Sequence, residues 1–275
     1  MKTILLLLLT FSSSRLFAQR DKLDAITEKI VAEGKTLYRS EMASWYGTDI
    51  FMEKHPDKEN GGGYFSYIKD GVPTCIFVSR AETPVVIAEI SFDSTYNVNT
   101  AVMNTKERNM TGIEKDYFEL RKNALDVINS DTLFQVYKNS SLNIIPIITG
   151  KEKKVYVITG TTRSGVVLLG NDYLINFDKN NKAVSSKKIH QNLIPIDITK
   201  GDDVSSMHSH LPETGDYITP TDICTLMLYQ RFTKWKTHTV LSENYVSFWD
   251  GEKNNLAVIT REAYQKIYEH QETKD

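Results

Sequence analysis

Met207-His208-Ser209-His210, followed by Thr219-Pro220-Thr221-Asp222, carries the residue types that bind a transition metal. Two histidines two apart on an extended segment project to one side of a strand. A loop bearing Pro212 and Gly215 leads on to an aspartate in the first turn of a predicted helix. Two imidazoles and one carboxylate suit zinc or a similar divalent ion. Three protein ligands leave a fourth position open, as catalytic zinc sites do. Zinc held that way lowers the pKa of a water from about 16 to about 7 and so makes a nucleophile near neutral pH. The ligand candidates are His208, His210 and Asp222, with His190 and Asp216 as extras.

Asp222 has a second job on offer. Thr219 is a good N-cap, Pro220 fits the first helical position, and Asp222 stands three residues after the cap, the reciprocal position of a capping box. A carboxylate there is also favoured by the helix dipole. His190 lies between Lys187-Lys188 and Leu193-Ile194 at a strand edge, where a satisfied structural histidine is expected. Beside His208 it would instead be a supporting group or an alternative ligand. His238 and His270 read as exposed or strand-edge, and His55 as a solvated loop residue.

The elements that must position these residues are mixed. Residues 21–42 repeat apolar side chains at helical spacing: Leu23, Ile26, Ile30, Val31 and Leu37. Three β-rich runs follow, around Tyr64–Ile68, Thr74–Val78 and Val85–Phe92, with an Asp70-Gly71 hairpin turn. Glu89 in the third run is expected to face solvent, and Trp45, Tyr46, Tyr64, Phe65 and Tyr67 to pack in the core. A second helix is predicted over 114–128, with Tyr117, Leu120, Ala124, Leu125 and Ile128 on one face. Strand-like runs then crowd the chain at 142–148, 155–159, 165–170, 173–177, 189–190, 193–196 and 204–208. A helix over 220–232, strands at 237–241, 245–249 and 256–260, and a helix over 261–270 complete the order. The fold class is α+β, mixed sheets with flanking helices. The expected division is a leader at 1–18, an N-terminal α+β region at 19–139 and a C-terminal domain at 140–275.

Lys2, the apolar run Ile4–Leu9 and Phe17-Ala18-Gln19 have the form of a cleaved secretory signal. The protein is expected to be exported, periplasmic or secreted, with no membrane span. A net charge of −2 on 275 residues argues against non-specific nucleic-acid binding. Cys75 and Cys224 read as small buried hydrophobes more readily than as one bridge.

His208-Ser209-His210, Pro212, Gly215 and Thr219-x-x-Asp222 entering a helix resemble the JAMM motif of the JAB/MPN metallopeptidases. The resemblance covers roughly residues 140–272, and its specific part is about fifteen residues long. It implies an α/β domain that binds zinc through His208, His210 and Asp222, with Thr219 at the motif's serine position. It also implies cleavage of peptide or isopeptide bonds in an unknown peptide or protein partner, with Ser209 or Thr219 donating to an oxyanion. The chain departs from the pattern in three places. The loop is one residue longer, Leu211 precedes the proline, and the glutamate that serves active members as general acid/base is missing. The matching run Thr162–Gly170 has none, and neither does any position in 153–212. General base work is worth typically ~10²–10⁴-fold. Three readings follow: a zinc hydrolase with an unidentified base, a catalytically inactive JAB-like binding module of the cell envelope, or a toxin- or immunity-type role like that of bacterial JAB domains.

Overall fold

The computed structural model describes residues 2–199 and 204–272, with side chains described for 21–199 and 204–270. The expected leader at 1–18 lies outside the residues with described side chains. In chain order the elements are α1 (Lys2–Lys54), β1 (Gly61–Lys69), β2 (Val72–Ser79), β3 (Val86–Ser91), β4 (Val102–Asn104), α2 (Gly112–Ser130), β5 (Ser140–Thr149), β6 (Glu152–Thr161), β7 (Val166–Gly170) and β8 (Tyr173–Phe177). They continue with β9 (Ala183–Lys188), β10 (Leu193–Asp197), β11 (Ser205–Ser209), α3 (Pro220–Tyr229), β12 (Thr237–Leu241), β13 (Tyr245–Asp250), β14 (Asn255–Thr260) and α4 (Arg261–Glu272). The α+β class holds. No helix among the described residues is long and apolar enough to cross a membrane.

Four sheets form, in the orders β1-β2-β3-β4, β5-β6-β8-β9, β7-β10 and β11-β12-β13-β14. Among the described residues every strand pairing is antiparallel except β11 with β12. Parallel neighbours need a long crossover, and α3 supplies it. The candidate ligands thus fall at the carboxyl end of a parallel strand and the start of its crossover helix, where open α/β sheets place their ligands.

The first helix extends twelve residues beyond its expected end at Met42 and takes in Trp45 and Tyr46. Its apolar stripe continues through Ala43, Ile50 and Phe51, all buried. Gly47, a poor helix former, is retained because a Cβ there would stand 2.6 Å from that of Cys75. The largest core cluster joins Leu37, Met42 and Phe51 of α1 to Phe77, Ile145, Tyr156, Cys224 and Leu228, so it draws on both sides of residue 139. On β6, Tyr156 and Ile158 face this cluster, while Val155 and Val157 face Leu120 and Ala124 of α2. A strand covered on both faces is buried almost throughout. Cys75 and Cys224 are both buried and unbridged.

Gly34 matters to the site. A Cβ at this position would lie 2.8 Å from Ile223 Cβ and 3.1 Å from the Pro220 carbonyl. The helix α1 therefore rests directly on the first turn of α3, beside Asp222. Overpacking costs typically 1–3 kcal/mol, so Gly34→Ala is expected to lower the unfolding free energy by about 1–3 kcal/mol. An unchanged urea midpoint would contradict this contact.

Away from the candidate centre, three side chains depart from expectation. Leu125 is 40% exposed, because it lies past the buried stripe of Tyr117, Leu120 and Ala124. His55 is not freely solvated: it stacks on Phe51 with ring centroids 4.6 Å apart, and its Nε2 lies 3.2 Å from the Ile87 carbonyl. Glu89 is half-buried and ion-paired with Lys69 and Arg108, at 2.5 Å each. Arg108 also grips Glu114 through both its terminal nitrogens, at 2.7 and 2.8 Å. Burial works against the Glu114 carboxylate, but Arg108 and the Thr111 N–H outweigh it and hold its pKa at about 2. A carboxyl depressed on folding stabilises above its unfolded pKa and loses that contribution as pH falls through the folded value. Stability is therefore expected to decline between pH ~4.5 and ~2. Arg108→Ala should flatten that decline in urea unfolding measured across the window.

Candidate metal centre

Strand alternation places His208 and His210 on the same inward face, while the intervening Ser209 is exposed. The ladder with β12 runs on past the strand end, since His210 N–H donates to the Leu241 carbonyl at 2.8 Å. Asp222 enters from α3. The capping box forms as the spacing predicts: Thr219 N–H and Oγ–H donate to Asp222 Oδ2 at 2.9 and 2.8 Å, and Asp222 N–H donates to Thr219 Oγ1 at 3.1 Å. Asp222 fills both roles, cap and member of the cluster. Thr219 directs its hydroxyl proton at that carboxylate.

The expected three groups converge, and a fourth joins them. His190, His208, His210 and Asp222 each offer one ligand atom, all within 4.8 Å of one another. His208 Nε2 and His210 Nε2 are 3.0 Å apart, and His190 Nε2 and His210 Nε2 3.2 Å. The Asp222 oxygens lie 3.4, 3.5 and 3.3 Å from the Nε2 atoms of His190, His208 and His210. Tetrahedral zinc with bonds of 2.0–2.1 Å separates its ligand atoms by ~3.3 Å. Five of the six separations, all but that of His190 from His208, match a single ion of that size. A base acting through an intervening water would stand farther off, so His190 stands with the others in the group that could hold an ion.

His190 reaches the cluster through backbone geometry. Gly170 has φ of +85°, and a Cβ there would lie 2.2 Å from the Asn192 carbonyl and 3.4 Å from His190 Cβ. Only glycine allows the 189–192 loop to close on β7. Asp172 then accepts from Thr159 N–H at 3.1 Å, and its Oδ2 lies 3.2 Å from His190 Nδ1. On the other side, His208 Nδ1 lies 2.8 Å from His238 Nε2, and His238 Nδ1 lies 2.7 Å from Ser206 Oγ. His238 is buried, contrary to its reading as exposed or strand-edge. The alternation His238–Val240 on β12 was the signal that placed it inside. Asp172, a charged residue within the apolar stretch 166–175, was the signal for the other partner. His190 gave no local signal, because only tertiary closure brings it in. Asp216, the other extra, lies outside the cluster and accepts from Asn244.

Burial disfavours the charged form of His190, but the Asp222 and Asp172 carboxylates outweigh it and raise its pKa to about 10. Burial pushes His208 down to about 4 and His238 to about 3, against the pull of Asp222. Burial also opposes ionisation of Asp222, yet His190 and His208 hold it well below the usual carboxylate range. Burial raises Asp172, partly offset by His190. A cavity of about 40 Å³ reaches His190 and His208, with Ser209 and Asn192 at its wall. Small-molecule sites have ~300–1,000 Å³ and one water needs about 10–15 Å³, so this space admits a few waters. No protein-family model, no curated protein and no solved structure matches this chain.

Proposed function

We propose that the chain is an exported zinc-binding protein whose C-terminal half is a JAB/MPN-like module with its metal closed off by four protein ligands. In this reading it is a binding module of the cell envelope for a peptide or protein partner, and not a peptidase. The observation that carries it is His190 Nε2, at 3.2 Å from His210 Nε2 and 3.4 Å from Asp222. Structural zinc sites are closed by four protein ligands, whereas catalytic ones keep a position open. The absence of a glutamate anywhere in 153–212 agrees with this. Buried Asp222 and Asp172 together balance a divalent ion. The signal-like N-terminus supports export.

Metal analysis of the purified protein is expected to give one equivalent of zinc per chain, with no hydrolysis of a peptide library or of isopeptide-linked conjugates. Less than a tenth of an equivalent of any transition metal would overturn the metal reading. The cavity at His190 and His208 favours a second reading, hydrolysis with Ser209, which lines that cavity, donating to an oxyanion; the Thr219 hydroxyl is already committed to Asp222. Zinc-dependent turnover that disappears in His210→Ala would establish it in place of the first.

A further inference from the structure

The three imidazoles of the centre are held differently on their far sides. His190 Nδ1 faces Asp172, His208 Nδ1 faces His238, and His210 Nδ1 is buried without a hydrogen-bond partner among the described residues. We infer that His238 is a positioning residue for the metal, orienting the His208 ring and fixing the tautomer that leaves its Nε2 electron pair free. The inference rests on the zinc reading above.

The argument is a count of protons along Ser206 Oγ, His238 and His208, linked at 2.7 and 2.8 Å. A neutral imidazole has one donor and one acceptor nitrogen. If Ser206 donates to His238 Nδ1, then His238 Nε2–H donates to His208 Nδ1. The His208 proton then sits on Nε2, and no pair is left to bind. In the opposite direction His208 Nδ1–H donates to His238 Nε2, and His238 Nδ1–H donates to Ser206 Oγ. Only this arrangement turns a free Nε2 pair toward His210, His190 and Asp222. Ser206 is half-exposed, so its own proton finds solvent and no polar group is orphaned.

The topology supplies the placement. Parallel pairing sets Ser206 opposite His238 and His208 opposite Val240. The Trp235 and His238 rings are tilted neighbours with centroids 6.4 Å apart. Partners of this kind raise ligand basicity, and their loss costs about 10–100-fold in metal affinity.

The test is zinc affinity, measured by competition with a chromophoric chelator, for the wild-type protein and for His238→Gln, His238→Phe and Ser206→Ala. His238→Phe is expected to bind one zinc about 10–100-fold more weakly. His238→Gln can present its Oε1 to His208 Nδ1–H and should recover most of that loss, with Ser206→Ala losing less than the Phe variant. In ¹⁵N-histidine-labelled, zinc-loaded protein, the hydrogen-bonded Nδ1–H signal of His208 should persist in the Gln variant. Unchanged affinity in all three variants overturns the inference. So does a Gln variant as weak as Phe, because a packing role ignores the acceptor. The Gln and Ser206→Ala comparisons remain decisive if the Phe variant does not fold. A wild-type protein that takes up no zinc overturns the zinc reading itself, and that result is distinct from failure of the variants.

Discussion

Removing zinc with a chelator is expected to lower the melting temperature by roughly 10 °C. A ligand that binds only the folded state stabilises it by RT ln(1 + [L]/Kd), about 4 kcal/mol at a thousandfold excess over Kd. In a chain of this size each kcal/mol moves the midpoint by roughly 2–4 °C. The large effect follows from what the centre joins. His190 stands in the bend between β9 and β10, His208 and His210 at the end of β11, and Asp222 in the first turn of α3. Asp172, behind His190, sits between β7 and β8. One ion would tie together segments that otherwise meet through loops. Without it, the buried Asp222 carboxylate is balanced by the imidazolium of His190, with Asp172, raised by burial, behind it. Calorimetry of the chelated and zinc-reconstituted protein reads the difference directly. Coincident melting curves would mean that no metal contributes to the fold.

Asp222→Ala is expected to remove stoichiometric zinc and to destabilise the metal-free protein by about 4 kcal/mol or more. Breaking a buried ion pair by deleting one partner costs about 3–5 kcal/mol, and losing an N-terminal cap interaction about 1 kcal/mol. Both losses meet at one side chain, so they are coupled and need not add. Asp222→Asn separates them. Its amide oxygen can still accept from Thr219 N–H and Oγ–H, so the cap is kept while the charge is lost. The Asn variant should be more stable than the Ala variant by about 1 kcal/mol and should bind zinc no better. Urea unfolding with metal analysis of both variants checks this. Full zinc occupancy in the Asn variant would remove Asp222 from the ligand set and leave it a helix cap only.

The mixed architecture was largely legible because its elements carry strong local signals. The Asp70-Gly71 turn adopts positive φ at both residues, as a tight hairpin requires. The Thr111 and Thr219 caps both close as boxes. The end of α1 was not legible, since Gly47 weakens the helix locally and its value lies in the close approach of Cys75. Glu89 was misplaced for a similar reason. Its neutralising partners, Lys69 and Arg108, come from separate segments of the chain.

The amino-acid sequence by itself nominated three of the four residues of the candidate centre. His208 and His210 share a face because a strand repeats every two residues, and Asp222 opens α3 because Thr219 and Pro220 start a helix. These are short-range consequences of backbone geometry. That His190 joins the three was decided by tertiary structure alone. Gly170 lets the 189–192 loop approach β7, which sets His190 within 3.2 Å of His210, and the parallel register of β11 with β12 sets His238 behind His208. Spacing along a chain can nominate ligands. The coordination number depends on which distant segments pack together, because a ligand shell is satisfied by proximity in space and not by order in sequence.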